Sequence, residues 1–139
     1  MLESYGWDYE SNRRLASEYS REWLKKLTHQ TDLWKTGFAL YDFKNYKEAL
    51  LVFRKQYEIA LEQEDKVLSA AALIWQGHML DLLGRRDEAI TIYKRVVDMN
   101  VIHRVQHGSY GLTYLPSIYA AERVKEPFKR IENRLKEYD

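Results

Sequence analysis

Residues 45–53 read NYKEALLVF, and residues 85–93 read RRDEAITIY. Each stretch opens with polar residues, continues with Glu-Ala and aliphatic residues, and closes on an aromatic ring. The second stretch begins 40 residues after the first. This shared order predicts that the chain contains one structural unit twice.

The same displacement pairs further residues of similar size. Matching positions are Leu33 with Leu73, Gly37 with Gly77, Leu40 with Leu80, Ala49 with Ala89, Leu50 with Ile90, and Phe53 with Tyr93. Within each copy the Leu, Gly and Leu positions are four and then three residues apart, and after a break the Ala and aromatic positions are four apart. These spacings place each set on one face of its own helix. The small Gly and Ala positions would let two helix backbones approach closely. Repeats of this length are typical of stacked helical pairs.

Composition supports a single helical domain. The chain has 139 residues, of which 45% are hydrophobic and 31% charged, and it contains only 6 Gly and 2 Pro. Such a chain is long enough to bury a core, and its low Gly and Pro content predicts long helices with no sheet. Since Cys is absent, disulfides, thiolate metal sites and Cys nucleophiles are excluded.

Charge and hydropathy narrow the range of partners. The net charge is +1, which gives no electrostatic reason to expect nucleic acid or an anionic membrane. No stretch approaches the roughly 18 consecutive apolar residues of a membrane span, and the N-terminus lacks a signal-peptide core. We therefore expect a cytoplasmic protein.

On the repeated residues, the chain resembles the tetratricopeptide repeat (TPR) family. That family's pattern of large, small and aromatic residues is matched at Leu33, Gly37, Leu40, Tyr46, Ala49 and Phe53, and again at Leu73, Gly77, Leu80, Ala89 and Tyr93. The repeat is 40 residues long here and about 34 in the family. Thr36 and Gln76 stand where the family has Leu, and Gln56 and Val96 stand at its last small position.

The predicted fold class is all-α: a short α-solenoid of antiparallel, TPR-like helix pairs with N- and C-terminal capping helices. Two repeats leave apolar faces open at both ends of a stack, so the flanking segments are expected to cover them. The predicted single domain, 1–139, comprises a capping helix 9–28, repeat one 31–62, repeat two 65–99 and a C-terminal cap 100–139. Its predicted repeat helices are 31–43, 46–62, 65–83 and 86–99, with Gly84 as a left-handed cap.

Within the C-terminal cap, residues 100–115 carry two Gly and are expected to be irregular. Pro116 suits the first turn of a helix ending near Lys125, and Pro127 is expected to open a last helix that runs to Tyr138.

No catalytic or cofactor motif is evident. The chain lacks a phosphate-binding P-loop and a nucleophile elbow, and no acidic pair is distinguished from general helix surface. His103 and His107 have a metal-like spacing, but no third ligand is near them in sequence. We therefore expect no enzyme, no cofactor and no metal site.

The TPR resemblance implies a protein-protein interaction or scaffold module. In that family the first helices of successive repeats line a concave groove that binds a peptide or helix. The partner-binding groove predicted here comprises Thr31, Trp34, Phe38, Tyr41, Asp42, Ile74, His78 and Asp81, with Leu82 beside them. Trp34, Phe38 and His78 replace the Lys, Asn and Arg of the carboxylate-clamp subgroup. An aromatic groove edged by Asp suits an apolar or weakly basic helix or strand of a protein partner.

Four alternatives stay open. The groove could meet a second copy in a homo-oligomer, bind a small ligand as a sensor, or be filled by the protein's own N-terminal helix. In addition, Tyr110, Tyr114 and Arg123 belong either to a tightly packed cap or to a separate recognition surface.

Overall fold

The computed structural model describes residues 22–107 and 112–130, and helices dominate this part of the chain. The elements are α1 (Gln30–Asp42), α2 (Tyr46–Glu62), α3 (Lys66–Leu82), α4 (Arg86–Met99), β1 (Val105–His107), β2 (Leu112–Tyr114) and α5 (Pro116–Lys125). Consecutive helices pack against each other, and α5 contacts both α4 and α3. The repeat-helix boundaries predicted from the sequence agree with these elements to within one residue at each end.

The helices cross where the sequence places its glycines. A Cβ atom added to Gly37 of α1 would lie 2.5 Å from Cε1 of Phe53 in α2. The matching atom on Gly77 of α3 would lie 2.4 Å from Cε1 of Tyr93 in α4. Because no real Cβ tolerates such distances, each ring occupies the space that the glycine leaves free. Consecutive helices thus pair in the same way in both repeats.

Helix α3 is the centre of the fold. Every residue from Ser69 to Leu80 is buried, since α2, α4 and α5 all pack against this helix. Asp65 caps its N-terminus, accepting a hydrogen bond from the Leu68 backbone N–H at 3.0 Å. The core therefore runs along the first helix of the second repeat, and side chains near the C-terminal end of α3 are buried too.

One turn joins the two helices of each pair, and the two turns have matching backbone conformations. Lys44 follows α1 with a φ of 62°, and Gly84 follows α3 with a φ of 75°. Both lie in the left-handed region, which a Gly adopts without steric cost. The prediction of a left-handed cap at Gly84 is confirmed.

The expectation of a chain without strands is wrong. Within the segment predicted to be irregular, β1 and β2 form an antiparallel hairpin in which Val105 pairs with Tyr114 and Gln106 with Thr113. Short runs that contain β-branched and aromatic residues, separated by a Gly-containing connection, are a hairpin signal that the helical reading overlooked. Next to the hairpin, Ser117 accepts a hydrogen bond from the Val101 backbone N–H and donates one to the Val96 carbonyl, both at 2.7 Å.

The expectation of a helix beginning at Pro127 is also wrong for the residues that are described. Residues 127–130 form no helix, and Glu126 is extended, with φ −132° and ψ 130°. A residue before proline avoids the helical region because the proline ring clashes with it, and this favours the extended path. The remainder of that predicted helix, residues 131–138, lies outside the described residues.

The N-terminal capping helix lies mostly outside the described residues as well. Its residues 22–25 are helical, and Trp23, Leu24 and Leu27 pack against the hydrophobic core. Lys55 of α2 donates a hydrogen bond to the Leu24 carbonyl, which joins this region to the first repeat. Among the helices that the structure describes, none has the length and apolarity needed to cross a membrane.

Candidate functional site

Four of the predicted groove residues lie away from the C-terminal ends of α1 and α3. Thr31 is exposed at the start of α1, whereas Ile74 is fully buried in the core. Trp34 and Phe38 are half-buried and stack with their ring centroids 5.3 Å apart. Phe38 also meets the buried Trp75 edge-on at 4.8 Å. The Trp34–Phe38 face is therefore partly built into the protein's own packing.

The other four predicted residues surround a single feature. Tyr41 and Asp42 end α1, and His78 and Asp81 lie in the last turns of α3. Together with Trp75 they form a surface that we call the groove, defined by Tyr41, Asp42, Trp75, His78 and Asp81. Residues 126–130 directly follow α5 and lie in this groove; we call them the groove segment. The segment comes from the C-terminal side of the chain, whereas the N-terminal helix that the sequence suggested as a possible filler lies mostly outside the described residues.

An aromatic box receives the ring of Phe128. This ring stacks on His78 at a centroid distance of 3.6 Å and an interplanar angle of 12°. Trp75 presents an edge to it at 5.9 Å, and Tyr41 lies 6.4 Å away. As a result Phe128 is only 6% exposed. The groove thus contains a slot for one flat ring, which such stacked and edge-on arrangements favour.

Asp81 is the polar centre of the groove. Its side chain is 1% exposed and forms an ion pair with Arg86, with Nη1 and Oδ1 3.0 Å apart. Its Oδ2 accepts hydrogen bonds from the Tyr93 hydroxyl at 2.8 Å and from the Phe128 backbone N–H at 2.9 Å. Since a buried carboxylate is costly without partners, this network is what allows the charge to lie inside the fold.

Two arginines cap the ends of helices beside the groove. Arg86 Nη2 donates to the carbonyls of Arg123 and Val124 in the last turn of α5, at 2.7 and 2.9 Å. Arg130 donates from Nη1 to the Tyr41 carbonyl at 2.7 Å and from Nη2 to the Asp42 carbonyl at 3.0 Å. Both guanidinium groups donate to carbonyls in the last turn of a helix, at the negative end of its dipole, and the Tyr41 carbonyl also accepts from the Lys44 backbone N–H at 3.0 Å.

The guanidinium of Arg130 also lies against aromatic faces. Its Cζ is 4.6 Å from the Tyr41 ring centroid and 6.0 Å from that of Tyr46, and Nη1 donates to the Tyr46 hydroxyl at 3.1 Å. The groove segment therefore runs from Asp81, near the end of α3, to the end of α1. Along it Phe128 is buried, Lys129 exposed and Arg130 half-buried, which is the alternation of an extended strand.

Buried tyrosines complete the surroundings of His78. Burial raises the pKa of Tyr93 well above its ordinary value, and the charge of Asp81 and the hydrogen bond to it raise that pKa further. Burial likewise raises the pKa of Tyr119, whose hydroxyl lies 2.6 Å from Nε2 of His78. Both hydroxyls consequently keep their protons well above neutral pH.

The sequence analysis did not predict Trp75 of the groove, Phe128 and Arg130 of the groove segment, or the neighbouring Arg86 and Tyr119. Asp81 and Arg86 are five residues apart across a turn, a separation that helical periodicity does not detect. Pro127 is compatible with an extended path as well as with the predicted helix start, so it did not indicate the groove segment. In the C-terminal cap, Tyr114 is buried and the Arg123 guanidinium lies 5.2 Å from the Tyr119 ring centroid. These contacts favour packing there, while Tyr110 lies outside the described residues.

The groove contacts the groove segment through rings, one carboxylate and the carbonyls at the end of α1. Over residues 22–107 and 112–130, no group of three or more His, Cys, Asp or Glu side chains is arranged to hold a metal ion. Tyr41, His78 and Asp81 contact the groove segment with their side chains, and Asp42 contacts it with its backbone carbonyl. The groove holds the Phe128 ring, the Phe128 backbone N–H and the Arg130 guanidinium.

The chain matches no protein-family model, no curated protein and no solved structure. The resemblance to TPR proteins therefore rests on the repeated residues themselves.

Proposed function

We propose that this protein is a non-catalytic interaction module that binds an extended segment of a protein partner in the groove. The observation that carries the proposal is the groove segment itself, because residues 126–130 already occupy the groove as an extended peptide would. Phe128 fills the aromatic box, its backbone N–H reaches Asp81, and Arg130 reaches the end of α1.

The chemistry of the groove supports a peptide as its occupant. Buried rings favour an apolar anchor, and interface anchors are commonly aromatic residues or arginine. The carboxylate of Asp81 and the helix-end carbonyls of Tyr41 and Asp42 favour donors of hydrogen bonds and positive charge. The expectation of an apolar or weakly basic partner rests on the same features.

The TPR-like arrangement gives the proposal its wider setting. In TPR proteins the first helices of successive repeats line the groove that holds the partner, and the resemblance assigns that role to α1 and α3. A scaffold role in the cytoplasm, with a protein or peptide as the partner, is the corresponding proposal for this chain.

A phage-displayed library of linear dodecapeptides tests the proposal without assuming the partner's sequence. The target is the full chain carrying Phe128→Ala, which opens the aromatic box, and the matched control carries Lys129→Ala at the exposed neighbouring position. We expect peptides to be enriched on the first variant and not on the second. Circular dichroism and thermal unfolding check that both variants are folded, and Arg130→Ala replaces Phe128→Ala if that variant does not fold.

The binding site of the enriched peptides is checked with Tyr46→Ala added to the Phe128→Ala chain. Tyr46 is half-buried and its hydroxyl contacts Arg130, so its loss should weaken peptide binding while the helices stay paired. The absence of any enriched peptide on a folded Phe128→Ala or Arg130→Ala chain would contradict the proposal.

A further inference from the structure

We propose that the partner presents an aromatic residue followed two positions later by arginine, and that the groove segment is a built-in competitor which this partner displaces. This inference rests on the proposed function and names the chemistry of its ligand. The groove segment, with Phe128 and Arg130, is the template for that motif.

The first position of the motif requires a flat ring. Phe128 lies parallel to His78 with only 12° between the ring planes, and the fully buried Trp75 closes one side of the slot. An aliphatic side chain would fill some of this volume but could not stack over the imidazole. The box therefore selects Phe, Tyr or Trp over Leu or Ile.

The second anchor requires arginine instead of lysine. One guanidinium reaches two carbonyls, one tyrosine hydroxyl and the face of Tyr41 at the same time. A planar fork with several N–H donors can satisfy this set, whereas an ammonium group is compact and cannot span it. The end of α1 thus distinguishes the two basic side chains.

The residue between the anchors is free to vary. Lys129 is exposed, as expected for the outward position of an extended chain. The backbone N–H at the aromatic position must be present, because that of Phe128 donates to Asp81 at 2.9 Å. The motif is therefore aromatic, any residue, arginine, with a main-chain donor at the aromatic residue.

The groove segment is held in a way that permits exchange. Within the described part of the chain, residues 127–130 make no backbone–backbone hydrogen bond and belong to no helix or strand. The side chains of Phe128 and Arg130, the Phe128 N–H and a long hydrogen bond of 3.5 Å from Arg123 Nη1 to the Pro127 carbonyl contribute to holding the segment, which leaves α5 at the extended residue Glu126. It can therefore detach without unwinding a helix, while its covalent attachment keeps its effective concentration in the groove high.

Fluorescence anisotropy measures this competition directly. The probe is a fluorescein-labelled, C-terminally amidated peptide of residues 124–130 (VKEPFKR), titrated into the full-length chain. We expect weak binding to the parent chain and to Lys129→Ala. Removal of the internal competitor in the Phe128→Ala/Arg130→Ala chain should raise the affinity about tenfold or more. Arg130→Ala alone serves if the double variant does not fold.

Peptide variants test the two anchors separately. Ala in place of the Phe128 equivalent should weaken binding about tenfold or more, since it removes a central aromatic anchor. Lys in place of the Arg130 equivalent should also weaken binding several-fold, because the fork is lost. Ala in place of the Lys129 equivalent should change the affinity by less than about twofold, as expected for an exposed rim position.

Hydrogen exchange in the parent chain gives a second readout that needs no substitution. Excess peptide should accelerate exchange of the Phe128 amide, which Asp81 shields while the groove segment is in place. Unchanged exchange at saturating peptide, or equal peptide affinity for the parent and the double variant, would overturn the inference.

Two further outcomes separate this inference from the proposed function. If peptides from the library bind the groove but lack the aromatic-x-arginine pattern, the proposed function stands and the motif is wrong. Dimerisation of the parent chain at high concentration that Phe128→Ala abolishes would overturn the inference in favour of a second copy as the occupant.

Discussion

The two helix pairs use the same crossing geometry but carry different chemistry at matching positions. In the first pair, α1 and α2, the residues Phe38, Tyr41, Tyr46 and Phe53 are all aromatic. In the second pair, α3 and α4, the positions 40 residues later are His78, Asp81, Arg86 and Tyr93. The first pair therefore offers rings, and the second offers groups that form hydrogen bonds and ion pairs.

This difference determines what each pair holds. In the second pair Asp81 pairs with Arg86 of the same unit and accepts the Phe128 backbone N–H. The first pair has Tyr41 and Tyr46 at those positions, and the cation beside them is Arg130 of the groove segment. The shared apolar residues thus determine how the helices of both pairs pack. The residues that differ between the pairs determine which part of the groove segment each pair contacts.

The largest expected effect comes from removing the charged centre of the second pair. Asp81→Ala leaves the Arg86 guanidinium, the Tyr93 hydroxyl and the Phe128 N–H without their acceptor. Loss of one partner of a buried pair should lower the free energy of unfolding by about 3 kcal/mol. Urea unfolding measures this value, with Asp98→Ala on the exposed face of α4 as the control. A loss under about 1 kcal/mol would mean that the network contributes little to folding.

The two glycine crossings should differ in their tolerance of a methyl group. Gly77→Ala should cost about 2 kcal/mol, because overpacking a tight core contact outweighs the higher helix propensity of Ala. Gly37→Ala should cost less, since the Tyr93 ring is tethered by its hydrogen bond to Asp81 and Phe53 has no hydroxyl to tether it. Thermal unfolding of both variants checks the order. A larger loss for Gly37→Ala would show that the tether does not restrict the ring.

Tyr93→Phe makes the second pair like the first and tests the polar network more gently. At neutral pH it should cost about 1.5 kcal/mol, the value of a hydrogen bond to a charged group. The raised pKa of Tyr93 means that the folded protein keeps this proton while the unfolded chain loses it above pH 10.0, the ordinary value. The stability that Tyr93 provides is therefore complete below pH 10 and declines as the pH rises further.

The cost of Tyr93→Phe should accordingly shrink by about 1.4 kcal/mol for each pH unit above that point. Urea unfolding of both chains between about pH 7 and 11 measures this difference. A cost that stays constant up to the alkaline end would contradict a raised pKa at Tyr93.

The smallest expected effect lies in the two matching turns. Gly84→Ala should cost about 1 kcal/mol, because an added Cβ meets no atom within 4 Å and the whole penalty comes from the left-handed backbone. Lys44→Gly, at the matching turn of the first pair, should raise stability by less than about 1 kcal/mol for the same reason. Thermal unfolding of both variants tests these values. An unchanged stability of Gly84→Ala would contradict the explanation by the left-handed backbone.

The candidate site was only partly predictable from the amino-acid sequence. The TPR resemblance placed Tyr41, His78 and Asp81 on the first helices of the two repeats, and all three contact the groove segment. The occupant itself was not foreseen. Pro127 suits both the first turn of a helix and an extended strand, so the local sequence could not choose between them.

The sequence alone determined the helices and the way they pair. Gly37 with Phe53, and Gly77 with Tyr93, lie close along the chain, and spacings of three and four residues state which face each helix buries. The hairpin of β1 and β2 had a weaker signal, because two strands of three residues each carry little periodicity.

Only the tertiary structure decided what lies in the groove. Arg130 meets the Tyr41 carbonyl across 89 residues of chain, and Phe128 meets Asp81 across 47. Local residue spacing does not predict such contacts. They depend on the direction in which the chain leaves α5, which is set by the packing of α5 on α3 and α4. The buried carboxylate of Asp81 and the carbonyls at the end of α1 accept hydrogen bonds from donors of the segment, because buried charges and backbone carbonyls are stable only when they are hydrogen-bonded.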